Sequence, residues 1–158
     1  MTDHTYEVSV RWTGDRGTGT SGYRDYGRDH DVTADGKHPI AGSADPAFRG
    51  DRDRWNPEEL LLGALAQCHM MSYLYVAVQR GFTVVEYTDT ATASLDVHRD
   101  GTGEVTAVTL RPVVTVLEAD RVEDADAAHA EANRLCFIAR SVAFPVQHTP
   151  VTKVRAAG

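Results

Sequence analysis

The chain has 158 residues, the length of one domain, and its 42% hydrophobic and 25% charged residues are the composition of a globular protein. A formal net charge of −7 disfavours nucleic acid as a partner, since no basic block offsets phosphate repulsion and Arg49, Arg52 and Arg54 are diluted by Asp51 and Asp53. The start lacks a cationic segment leading into an apolar one, and apolar stretches fall short of the roughly 18 residues of a bilayer span, so neither signal peptide nor membrane segment is expected. Two cysteines do not make a secreted disulfide scaffold, and the expected compartment is the cytoplasm.

Residues 6–12 alternate, with Tyr6, Val8, Val10 and Trp12 on one face and Glu7, Ser9 and Arg11 on the other, which predicts a half-buried strand. A turn follows at residues 13–17. Residues 18–32 are polar, punctuated by glycine and rich in Tyr and Arg, and are expected to hold strand pieces. A second turn at residues 34–37 precedes a short strand near His38–Ala41, and residues 42–55 read as a loop without period.

The first strong helix signal comes next. Asn56 is a good N-cap, Pro57 suits the first helical position, and Glu59 stands where a capping box places its carboxylate. Leu60, Leu61, Ala64, Leu65, Cys68, Met71, Ser72 and Tyr75 recur at three- and four-residue steps, and Gly81 supplies the stop. A helix over 57–80 is predicted, about 36 Å long at 1.5 Å per residue. It is apolar nearly all round, so burial on most sides is expected.

Residues 83–98 alternate again, Asp100-Gly101 marks a hairpin turn, and Val105–Val116 returns as the partner strand, with Pro112 pointing to an edge or bulge. A second helix is expected over 122–140, with its alanines allowing close packing and Cys136 in its last turns. Val151–Arg155 suits a final strand. The order of elements is α+β, in a single domain over 1–158. The long apolar helix is hard to bury in one small chain, and a dimer through the helices is expected.

Cys68 and Cys136 lie 68 positions apart, which rules out a zinc-ribbon pair or a CxxC redox loop. A thiolate is the reactive form of cysteine, and a thiol in apolar surroundings needs a cation nearby to ionise. Arg24, Arg28 and Arg49 lie upstream, and Glu58 or Glu59 is available to orient one of them. Glu58 precedes Cys68 by ten residues, which sets the two about 80° apart around the axis and about 15 Å apart along it. The plainer reading, that both glutamates only complement the helix dipole, stays open. Cys136 is equally compatible with plain core or with a resolving thiol that traps an oxidised Cys68 as a disulfide. His69 points about 100° away from its neighbour Cys68 on a helix and is poorly placed as its base. The spacing of Cys68, His69, Cys136 and His148 is not that of metal ligands. Neither a phosphate-binding loop nor a GxSxG elbow is present.

The run from Asn56-Pro57-Glu58-Glu59-Leu60 through Gln67-Cys68-His69-Met70 resembles the first-cysteine helix of the OsmC/Ohr family. The segment Ala132 to Pro145, around Cys136-Phe137-Ile138-Ala139, resembles that family's second-cysteine segment. The resemblance implies antiparallel sheets wrapped around two central helices in an intertwined homodimer. It implies an organic hydroperoxide reductase, active against hydrogen peroxide as an extension, that serves oxidative or osmotic stress defence. Cys68 would attack the peroxide and Cys136 would resolve the sulfenic acid as a disulfide. Glu58 matches the family's glutamate, and Arg28 or Arg24 its arginine, with Arg49 a third position out of register with the matching segment. An external dithiol would restore the thiols, with no metal or organic cofactor. Gln67 and His69 beside Cys68 depart from the better-known branches and mark a distinct subgroup. Two alternatives remain: a binder of an apolar ligand in the dimer-interface pocket, with inert cysteines, and a thiol redox sensor.

Overall fold

The computed structural model describes residues 3–156 and consists of two compact units, Met1–Leu60 and Leu61–Gly158. The first is a three-stranded antiparallel sheet of β1 (Ser9–Trp12), β2 (His30–Thr33) and β3 (Ile40–Gly42), in that order. Trp12 pairs with His30, and His30 in turn with Gly42. β1 is shorter than the alternation suggests, and it is not half-buried: Tyr6, Val8, Val10 and Trp12 are all exposed. Alternation reports a surface waiting to be covered, and nothing within this unit covers it. The 42–55 segment contains one 3-10 turn, Pro46–Phe48, and returns beside β3 through a bridge between Gly42 and Trp55.

Helix α1 runs from Pro57 to Arg80. The capping box closes as the sequence predicts. Glu59 N–H donates to Asn56 Oδ1 at 2.8 Å, and Asn56 N–H donates to Glu59 Oε2 at 3.2 Å. Gly81, at φ 74°, ends the helix in a left-handed conformation that L side chains rarely adopt, so that the Gly81 and Phe82 amides both reach Ala77 O. By length and composition α1 is apolar enough to cross a membrane, which corrects the expectation that no such segment exists. Here its stripe Leu65, His69, Tyr73, Val76 and Ala77 is buried in the second unit, as in a core helix.

The second unit pairs two sheets with two helices. The predicted long hairpin forms, but each arm is broken: β4 (Val84–Asp89) and β5 (Thr92–Val97) on one side, β6 (Gly103–Leu110) and β7 (Pro112–Val116) on the other. Pro112 opens β7 rather than bulging within a strand, because proline lacks the N–H that an interior ladder position needs. One half of the hairpin gives a sheet of order β4-β7-β9, the other a sheet of order β5-β6-β8. The last two strands, β8 (Val146–His148) and β9 (Val151–Val154), join β6 and β7 in parallel. Helix α2 (Val122–Leu135) precedes them.

Two apolar clusters fill this unit. Leu65, Val108 and Leu110 form one, with Ile138, Phe144 and Val146 packed against it. Tyr73, Val76, Phe82, Val114, Val116 and three alanines of α2 form the other. Along α1 the single residue between Leu65 and Tyr73 on the buried stripe is His69, so an imidazole sits at the seam of the two clusters. The architecture is α+β, with two helices and several sheets.

Candidate active site

Cys68 is half-buried midway along α1, and Cys136 is fully buried. The second helix ends one residue before Cys136, not at residue 140 as its alanine-rich pattern suggests. Cys136 itself is extended, at φ −68° and ψ 111°. A local bond accompanies the stop: the Ala139 amide donates to Cys136 Sγ at 3.4 Å, just where the short turn Ala139–Ser141 begins. This break turns the Cys136 side chain onto α1, where it meets Cys68.

The Cys136 thiol is pushed up to about 11, first by burial and then by its hydrogen bond with the Cys68 side chain. It is therefore a neutral thiol at physiological pH. Cys68 opens onto an apolar pocket of about 400 Å³ lined by Met71, Ser72, Tyr75, Leu135 and Phe137. The arrangement is a partly exposed thiol at an apolar concavity with a second thiol behind it. Chemically it suits attack on a small electrophile carrying an apolar tail, followed by a thiol-to-thiol step.

The remaining predicted residues belong to the first unit. Glu58 is half-buried in the opening turn of α1. Arg28 is held by its own loop: Nη1 donates to Tyr26 O at 2.7 Å and Nη2 to Tyr23 O at 2.9 Å, and the guanidinium lies over both tyrosine rings, at 4.0 and 4.5 Å. Arg24 is exposed. Arg49 lies 5.5 Å over the Tyr23 ring and has a left-handed backbone.

The sequence reading missed a second cluster in the unit that holds the thiols. His69 Nε2 lies 3.0 Å from His129 Nδ1 of α2, and the two rings are parallel within 9°. His148 of β8 stacks 5.7 Å from His69, and Tyr73 stacks 4.0 Å from His129. Burial holds all three imidazoles neutral: His69 is lowered to about 4 and His129 to about 3, and His148 is lowered too. His69 and Tyr73, four apart on α1, carried a weak signal, since a histidine inside an apolar helical stripe has to find a hydrogen-bond partner. Among the described residues no three His, Cys, Asp or Glu side chains group as metal ligands.

Comparison with known proteins agrees with this architecture. The family described as OsmC-like protein matches residues 50–150. An OsmC-like protein of unknown function from Vibrio cholerae is 30% identical, with a TM-score of 0.79 over 96% of this chain and 100% of that one. An organic hydroperoxide resistance protein from Elizabethkingia anophelis shares the fold at 16% identity, with a TM-score of 0.67 over 98% of this chain and 100% of that one. OhrB, the organic hydroperoxide resistance protein of Bacillus subtilis, does so at 22% identity, with a TM-score of 0.62 over 95% and 98%. None of the curated proteins matches by sequence. With the family match spanning residues 50–150 and the Vibrio relative aligned over nearly the whole chain, the protein belongs to the OsmC-like family.

Proposed function

We propose that the protein is a thiol peroxidase that reduces organic hydroperoxides, with Cys68 as the attacking thiol and Cys136 as its resolving partner. One observation carries the reading: a neutral, buried Cys136 meets a Cys68 that opens onto an apolar pocket. The Cys68 thiolate attacks one peroxide oxygen, the O–O bond breaks, and the alkoxide leaves and takes up a proton as the alcohol. The resulting sulfenic acid condenses with the Cys136 thiol, releasing water and forming a disulfide. An external dithiol then exchanges with that disulfide and returns both thiols. Two relatives of this fold bear the name organic hydroperoxide resistance protein, which supports the substrate class. The proposal takes the cation that activates Cys68 to be Arg28 or Arg24, with Glu58 orienting it, and the compartment to be the cytoplasm. Hydrogen peroxide is the secondary substrate.

The proposal includes one OsmC-like domain over the whole chain and a homodimer. Met71, Tyr75, Val78 and Phe137 are all more than half exposed, and a second copy is the natural cover for so much apolar surface. The same pocket supports a second reading, binding of an apolar ligand without chemistry.

The deciding experiment follows consumption of cumene hydroperoxide and hydrogen peroxide by the purified protein with a dithiol. Turnover that disappears in Cys68→Ser, faster with the organic substrate, is the expected result. Unreacted peroxide in the unsubstituted protein, with both thiols still titratable, rejects the peroxidase in favour of the binder.

A further inference from the structure

We propose that the His69–His129 hydrogen bond positions Cys136 against Cys68, and that it does so only while both imidazoles are neutral, so that resolution of oxidised Cys68 fails in acid. The inference rests on the peroxidase reading for its consequence, but its structural half stands independently. Contacts tie α1 to α2 along much of their length. Arg80 bonds Asp124 and Glu131, Tyr73 Oη donates to Ala125 O, His69 meets His129, and Cys68 meets Cys136. The histidine contact is the last link before the thiols. His69 is the immediate neighbour of Cys68, and His129 lies seven residues before Cys136, about 10 Å along the helix.

That link tolerates no additional proton. A bond between two neutral imidazoles uses one N–H and one lone pair, and it leaves His69 Nδ1 and His129 Nε2 buried without a partner. Protonating either ring would set a charge in a site 1% or less exposed, with N–H groups that find no acceptor. His148 of β8 faces the pair and Tyr73 of α1 stacks on His129; behind them, Asp124 and Asp126 of α2 bear on Tyr73, and Asp89 of β4 bears on Tyr87. Of these, His148 disfavours further positive charge, and none of the carboxylates bonds an imidazole among the described residues. β7 has no titratable side chain, and Lys153 of β9 is exposed.

Opening of the α1–α2 contact restores ordinary imidazole basicity, so acid promotes opening. Balance then decides the product. With Cys136 in reach, the sulfenic acid and the thiol condense with loss of water. With Cys136 displaced, a second hydroperoxide oxidises the sulfenic acid to sulfinic acid and is itself reduced to the alcohol.

The test labels buried Cys136 in Cys68→Ser with 4,4′-dithiodipyridine from pH 8 to pH 5.5, normalised to the denatured chain at each pH. The two histidines together predict a rise in labelling of about a hundredfold, with the far-ultraviolet circular dichroism unchanged. His69→Gln with His129→Gln keeps neutral amide groups at the link and flattens the profile. Should the double variant not fold, His129→Gln alone retains about half of the rise on a logarithmic scale. A flat profile in Cys68→Ser, or an equal rise in the glutamine variants, overturns the inference. In the unsubstituted protein, cumene hydroperoxide gives disulfide at pH 8 and sulfinic acid at pH 5.5 by mass spectrometry, and disulfide at both overturns it too. Unreacted Cys68 at both pH values, with an acid-dependent labelling profile, removes the peroxidase reading and keeps the histidine link.

Discussion

The two faces of α1 divide their chemistry in the opposite sense to most helices. Met71, Tyr75 and Val78 stand exposed beside half-buried Cys68, while the buried stripe of Leu65, Tyr73, Val76 and Ala77 carries a histidine in its middle. A contiguous apolar exposed face is the kind of surface that a ligand or a second copy covers, and on the proposed function it carries the attacking thiol. A polar buried face has a structural price unless it is partnered, and here the partners are rings and imidazole nitrogens from α2 and β8. The proposed chemistry on one side of the helix and the proposed histidine link on the other are therefore separable by substitution.

Substitutions on the two faces separate these roles. The largest effect of a single substitution on stability is expected from Leu65→Ala on the buried face. It empties a fully buried position in its apolar cluster and costs about 2–5 kcal/mol in chemical denaturation. Acid acts next, through the same face. His69 and His129 are lowered to about 4 and about 3, so the unfolded chain binds more protons than the folded one between those values and about 6.5. Stability is therefore full above about pH 6.5, falls as pH drops below it by up to about 1.4 kcal/mol per pH unit for each histidine, and levels off near the folded values. A urea midpoint that does not move between pH 7 and pH 5 would contradict the buried pair. The smallest effect is expected on the open face: Met71→Ala changes stability by no more than about 0.5 kcal/mol in the single chain. It should instead raise KM for cumene hydroperoxide more than for hydrogen peroxide, because Met71 lines the pocket at Cys68. Equal changes for both substrates would place the alkyl tail elsewhere.

Much of this was legible in the residues. The cap at Asn56, the stop at Gly81 and the hairpin turn at Asp100-Gly101 each rest on local chemistry, and the structure has them where they were expected. The breaks in the hairpin were not legible, since residues 83–98 alternate across the point where the chain passes from one sheet to the other. The pairing of the two cysteines was visible as a resemblance, but the early end of α2 was not. That end is accompanied by a single amide bonding Cys136 Sγ, and helical periodicity has no term for it.

Periodicity also pointed to the face of α1 that holds Cys68, Met71 and Tyr75, whereas the structure buries the stripe through His69. Both faces are apolar enough to serve as core, and a hydrophobic period alone cannot choose between them. By itself the sequence determined the two helices, the strands' approximate places and the family to which they belong, because caps, turns and spacing act within a few residues. Only tertiary structure decided which face of α1 meets α2, that three histidines from three elements stack together, and that two thiols 68 positions apart become neighbours. Those outcomes depend on packing between distant segments, and no local residue pattern encodes a distance.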